Sequence, residues 1–124
     1  MKLMLILWLA AEFTGAELAA HKAWMDDAQD KKDDVREALA AKDAKKLVVA
    51  AVDIEKLTER EAQFWARTEI AQAKEIASRN REEAKELLAA ARAGEFATAG
   101  DAFARLEKTC SSCHDLHFEK QRMR

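Results

Sequence analysis

Apolar residues recur along this chain at helical spacing, and no window alternates with the two-residue period of a strand for long. From about residue 17 to 41, Leu18, Met25 and Leu39 share a heptad grid with Lys32. His21, Ala28 and Val35 fill the alternate seam, so the segment carries one inward stripe. Lys42-Asp43-Ala44 suits a tight turn. A second helix begins near Ala44, with Leu47, Ala51 and Ile54 on one side. Between Asp43 and Ala93 neither Gly nor Pro marks a break. Thr58-x-x-Glu61 matches a capping box, which predicts the second turn near residues 57–60. A third helix then runs to about Ala93, with Phe64, Ile70, Ile76, Leu87 and Leu88 among its apolar positions, and Gly94 suits the position just past its end. A fourth starts around residues 95–97 and carries Phe103, Leu106, Cys110, Cys113, His114 and Phe118. Gly100 lies inside it at a cost of about 1 kcal/mol relative to alanine, for which the sequence offers no reason. Four helices joined by short turns predict an all-α fold, an antiparallel four-helix bundle running up-down-up-down. In that topology residues around 18 to 28 lie across from His114.

Composition agrees with the pattern. The 124 residues contain no proline and 35% charged residues, and Ala, Glu, Lys, Leu and Arg dominate, all strong helix formers. A formal net charge of −2 argues against nucleic acid, whose binders usually carry a basic patch. Charges of both signs alternate along the helices and read as solvated faces. The run from Asp26 to Asp34 reads the same way, ahead of an acidic docking patch for a basic redox partner. The amino-terminal stretch is different. Leu3 to Ala11 is apolar, follows Lys2, and precedes the small residues Thr14-Gly15-Ala16. It is shorter than the roughly 20 residues a spanning helix needs. It is expected to be a signal peptide, residues 1–16, cleaved after Ala16 to leave a single domain, 17–124, with no stable membrane span. An uncleaved anchor, or an amphipathic start to the first helix, is the alternative.

Residues 110 to 114 read Cys-Ser-Ser-Cys-His and contain the only two cysteines. C-x-x-C-H is the attachment sequence of a c-type haem. Two thiols three residues apart lie on one face of a helical turn, so both can add to the two vinyl groups of one porphyrin as thioethers. The next residue, His114, then offers its imidazole to the iron as proximal ligand. Three plainer readings compete. A thiol redox couple usually accompanies a βαβ pattern, which is missing here. Structural zinc wants four ligands, and beyond His114 and His117 the remaining histidine, His21, is remote in sequence. A disulfide is poorly placed on a regular helix. Export fits the haem reading, since bacterial c-type thioethers are made outside the cytoplasmic membrane, and it implies a periplasmic location.

A four-helix bundle with C-x-x-C-H near its carboxyl end resembles the class II c-type cytochromes, cytochrome c-prime and its low-spin relatives. It is also similar to the soluble periplasmic four-helix cytochrome b, in the stretch from Gly94-Glu-Phe-Ala-Thr-Ala to His114. The specific elements are the haem motif and the Ala93-Gly-Glu-Phe96 turn. One departure is visible. The cytochrome c-prime pattern has an aromatic residue three after the histidine and then a basic one, where this chain has His117 and Phe118, with Lys120 and Arg122 following.

The resemblance implies that any sixth iron ligand comes from the first helix. Met25, on the inward stripe, is the candidate, and its thioether opposite His114 would raise the potential for electron transfer. Core packing is the equal alternative, methionine being a flexible gap-filler. His21, one turn earlier, could make a bis-histidine iron, although a surface or capping role is the favoured reading for it. If neither reaches the iron, Leu18 or Ala28 would leave an apolar distal face, open to nitric oxide or carbon monoxide as in cytochrome c-prime. Trp24 and Trp65 read as core ahead of macrocycle walls. Phe103 and Leu106 read as core or haem edge, Phe118 as a cover for the proximal face, and His117 as exposed. The expected function is a periplasmic cytochrome exchanging one electron at a time with redox partner proteins. The alternatives are a five-coordinate gas binder and, from another class, a zinc- or disulfide-stabilised bundle. No catalytic constellation beyond the haem is read, so an enzyme is not expected. The resemblance alone adds a homodimer.

Overall fold

The computed structural model describes the backbone of residues 14–122 and the side chains of residues 14–112. Over that span it is all-α, with four helices: α1 Gly15–Ala41, α2 Ala44–Ala66, α3 Ala71–Arg92 and α4 Phe96–Arg122. Most of the expected leader lies outside the described residues, as do the side chains of Cys113, His114, His117 and Phe118.

Each helix end has a local cause. Thr14 caps α1: its hydroxyl accepts from the Glu17 N–H at 3.1 Å while the Glu17 carboxylate accepts from the Thr14 N–H at 3.3 Å. The expected cleavage point after Ala16 therefore falls within the first turn of α1. Lys42 ends α1 in the left-handed region (φ 52°), its N–H donating to Ala38 and Leu39 carbonyls, and Asp43 caps α2 by accepting from the Lys46 N–H at 3.1 Å. Beyond α3, Gly94 takes φ +69°. The Glu95 N–H donates to Ala90 O at 2.9 Å and the Gly94 N–H to Ala91 O at 3.1 Å, the two bonds of a Schellman motif.

The turn between α2 and α3 differs from expectation. It lies at residues 67–70, two turns beyond the Thr58-x-x-Glu61 pattern. Thr58 caps nothing; its hydroxyl donates to Glu55 O at 2.8 Å inside the continuing helix. Glu61 is buried at 5% exposure and serves the interior. Thr68 shapes the real turn, donating to Trp65 O at 2.8 Å and accepting from the Ile70 N–H at 3.3 Å.

Cross-helix pairs advance in opposite senses along consecutive helices. Glu17 meets Arg67, His21 meets Glu61 and Lys31 meets Asp53 between α1 and α2. Arg105 meets Glu86 and Thr109 meets Asn80 between α4 and α3. Successive helices pack extensively, whereas the closing seam between α1 and α4 is much the lightest. Across it Arg36 pairs with Glu107 at 2.7 Å and lies 5.5 Å over the Phe103 ring.

The core falls into two clusters. The larger joins Val35 and Ala38 of α1, Leu47 to Ile54 of α2, Ala84 to Ala91 of α3, and Ala99 to Leu106 of α4. Phe103 and Leu106 thus take their expected core places. The smaller holds Phe64, Trp65, Ala73 and Ala77. On α1 the expected stripe is real but shifted: His21, Lys32, Val35 and Ala38 are buried, Met25, Ala28 and Leu39 are half-buried, and Leu18 is 49% exposed. Of the Asp26 to Asp34 run, the aspartates are exposed, as expected of a solvated face, while Lys32 turns inward.

Candidate functional site

One uninterrupted helix, α4, carries the backbone of residues 110 to 114, so positions 110 and 113 share a face. Cys110 is a free, half-buried thiol that packs against the larger core cluster and donates to Asn80 Oδ1 at 3.5 Å. Burial pushes its pKa up, against the pull of Lys32 and the Asn80 bond; Glu61 and Glu83 push it further the same way. The Cys110 side of α4 thus faces α3 and the larger core cluster.

Around it lies a polar layer. Thr109 Oγ1 is 2.9 Å from Leu106 O, 3.0 Å from Asn80 Oδ1 and 3.5 Å from Glu83 Oε2. Burial raises the Glu83 pKa against the opposing charge of Arg105. The register Arg105–Glu86, Thr109–Glu83, Cys110–Asn80 fixes the direction of travel. One further turn along α4 brings the backbone of residues 113–114 level with Ala77, a member of the smaller apolar cluster.

That cluster abuts a second buried polar group. His21 is 8% exposed, which corrects the surface or capping role expected for it. Its imidazole stacks on Phe64 (centroids 4.0 Å apart, 20° between planes) and meets the edges of Trp65 at 6.0 Å and Trp24 at 6.4 Å. Its Nδ1 lies 3.4 Å from Glu61 Oε2, an ion-pair separation and not a tight hydrogen bond. Trp65 Nε1 donates to the other Glu61 oxygen at 2.7 Å. Burial raises the Glu61 pKa to about 7, with the Trp65 bond opposing. Trp65 is core, as expected; Trp24 is half-buried beneath Arg60, whose guanidinium lies 5.7 Å from its ring.

Met25 sits half-buried on α1, one turn beyond His21. Among the described residues no hydrogen bond, ion pair or ring contact involves it. Two surface grooves, one between α3 and α4 beside Glu86 and Arg105, the other between α1 and α2 beside Lys31 and Asp53, include neither Cys110 nor His21. Among the described residues no cluster of three or more His, Cys, Asp or Glu could hold a metal ion, and no helix is long and apolar enough to cross a membrane.

A covalently held haem would need a particular donor set and surroundings. It needs two thiols on one helical face and an adjacent imidazole, and residues 110 to 114 supply that donor set on a continuous helix. It would also need apolar surroundings, and the smaller cluster of Phe64, Trp65, Ala73 and Ala77 is the apolar group level with residues 113–114. Comparison with family models, with characterised proteins and with solved structures finds no match.

Proposed function

We propose that this protein is an exported, periplasmic c-type cytochrome of the class II kind that carries one electron between redox partner proteins. Cys110 and Cys113 would hold haem c through thioethers, and His114 would be the proximal iron ligand. When bound, the haem supplies an iron that cycles between ferrous and ferric. The chain supplies the rest. The larger core cluster anchors α4 up to Leu106, one turn before the first thiol. The Asn80 bond orients Cys110 toward the interior, and burial keeps its sulfur protonated until attachment. Phe64 and Trp65 exclude water from the layer beside the motif. The resemblance implies that any further iron ligand would come from α1, with Met25 as the candidate.

The observation that carries this reading is the C-x-x-C-H sequence on an unbroken helix, with Cys110 facing inward. The test is the intact mass and optical spectrum of protein from the exported fraction of a host that makes c-type cytochromes. The expected result is a mass increased by one haem, together with a c-type α-band. A mass equal to the polypeptide alone would refute the reading. Cys110→Ala should remove one thioether and shift the α-band.

A further inference from the structure

We infer that α1 opens as a unit of its own, pivoting at the Lys42-Asp43 turn while α2, α3 and α4 stay packed, and that this opening bares the face of α4 that carries Cys110.

Three observations lead there. The first is what each helix buries. α1 is 27 residues long, yet its buried residues are His21, Lys32, Val35 and Ala38, two polar and two apolar. From Gly15 to Asp34 every apolar residue is half-buried or exposed. α2 and α3 instead bury apolar side chains along most of their lengths, from Leu47 to Trp65 and from Ala73 to Ala91. Apolar burial is the dominant force holding a helix in place, so α1 is held least. The second is the kind of contact that remains. Besides the His21 stack on Phe64, α1 is tied to α2 by the ion pairs Glu17–Arg67 and Lys31–Asp53, both partly exposed. Pairs of this kind are each worth little. By contrast α3 packs extensively on both α2 and α4.

The third is the seam itself. Among the described residues the α1–α4 seam is the lightest between neighbouring helices, and Arg36 is the side chain that crosses it. Its guanidinium meets Glu107 at 2.7 Å and lies 5.5 Å over the Phe103 ring, while Asp33 of its own helix holds it at 2.6 Å. Phe103, Glu107 and Cys110 follow one another at spacings of four and three, so they share one face of α4. Arg36 spans that face, which makes α1 its cover and Arg36 the latch. Lys32, one turn before Arg36, acts on the Cys110 thiol, as this placement requires. Asn80 of α3 holds the thiol from the other side. Neither surface groove reaches Cys110, so a large group approaching it needs a wall to move. The opening belongs to the polypeptide and stands whether or not a haem is attached.

The test is native-state hydrogen exchange of the full chain, read by mass spectrometry on peptides from each helix. A helix owes most of its stability to packing on its neighbours, so the amides of α1 exchange once it undocks. They should open at least about tenfold more often than the core amides of α2 and α3, and urea should speed them less, as sub-global opening exposes less surface. One opening frequency and one urea dependence for all the helices would overturn the inference. Arg36 is 45% exposed on its side chain, so Arg36→Ala leaves the core intact. It should raise α1 exchange about three- to tenfold and leave the α2 and α3 core unchanged. An equal rise in every helix would make Arg36 an ordinary stabilising contact and overturn its role as latch. Cys113→Ser leaves Cys110 as the single thiol. In that background, made without haem, Arg36→Ala should speed maleimide labelling of Cys110 by the factor seen for α1 exchange. Labelling indifferent to Arg36→Ala would show that α1 does not cover the thiol.

Discussion

Replacing Glu61 by glutamine should make the polypeptide bundle more stable at pH 8 and leave it nearly unchanged at pH 4.5. Burial raises this carboxyl from its ordinary 4.5 to about 7. The folded state therefore holds a proton more firmly than the unfolded chain between those two values. Below pH 4.5 both states are protonated, and the group costs nothing. As pH rises from 4.5 toward 7 the unfolded chain releases its proton first, and folded stability falls by about 1.4 kcal/mol per pH unit. Above pH 7 the loss levels off at about 3 kcal/mol, set by the size of the shift. Glutamine does not titrate, and its carbonyl can still accept from Trp65 Nε1. Urea denaturation of both proteins at several pH values between 4.5 and 8 measures the gap. A gap that opens with rising pH supports the account. A gap independent of pH would show that the carboxyl is not protonated on burial, and would refute the reasoning.

The remaining expectations concern the scaffold. Leu106→Ala removes a side chain that is 1% exposed inside the larger cluster, and should cost about 3 to 5 kcal/mol in denaturant titration. The two helix-associated glycines should respond with opposite signs. Gly94→Ala forces a side chain into φ +69° and should cost about 1 kcal/mol. Gly100→Ala adds a methyl that meets nothing within 4 Å inside α4 and should gain about 1 kcal/mol. Thermal melts of the two variants against wild type read both, and a loss at Gly100 would mean that the open space there is used.

The two turns marked by local chemistry were legible from sequence: Lys42-Asp43, where an aspartate stands just before a helical run, and Gly94, which ends one. The third was misread because Thr58 and Glu61 are of the residue types that make a capping box, and spacing cannot tell a cap from a buried pair. The true turn uses Thr68 through its own hydroxyl, and Ile70 at the start of α3 makes no side-chain cap. The C-x-x-C-H pattern was visible because all five residues are contiguous. The His21 environment was not. Its stripe position was visible, but its partners Glu61, Phe64 and Trp65 come from another helix. Sequence alone counts a histidine as polar and assigns it outward, while the burial of Glu61 depends on a helix that continues past the misread turn.

The division of the core has a consequence for how the motif can be tested. A buried polar layer of Lys32, Asn80, Glu83 and Thr109 accompanies the break between the two apolar clusters. Burying those groups brings little net stability even when they are bonded, so most of the hydrophobic stabilisation must come from the larger cluster, which draws on all four helices. That cluster grips α4 from Ala99 to Leu106 and reaches Cys110 only at its margin. The helix is therefore secured before residues 110–114 begin. The segment beyond can carry its cysteines and a titratable layer without the rest of the bundle depending on them. Substitutions at Cys110 should accordingly change what the protein holds far more than whether it folds.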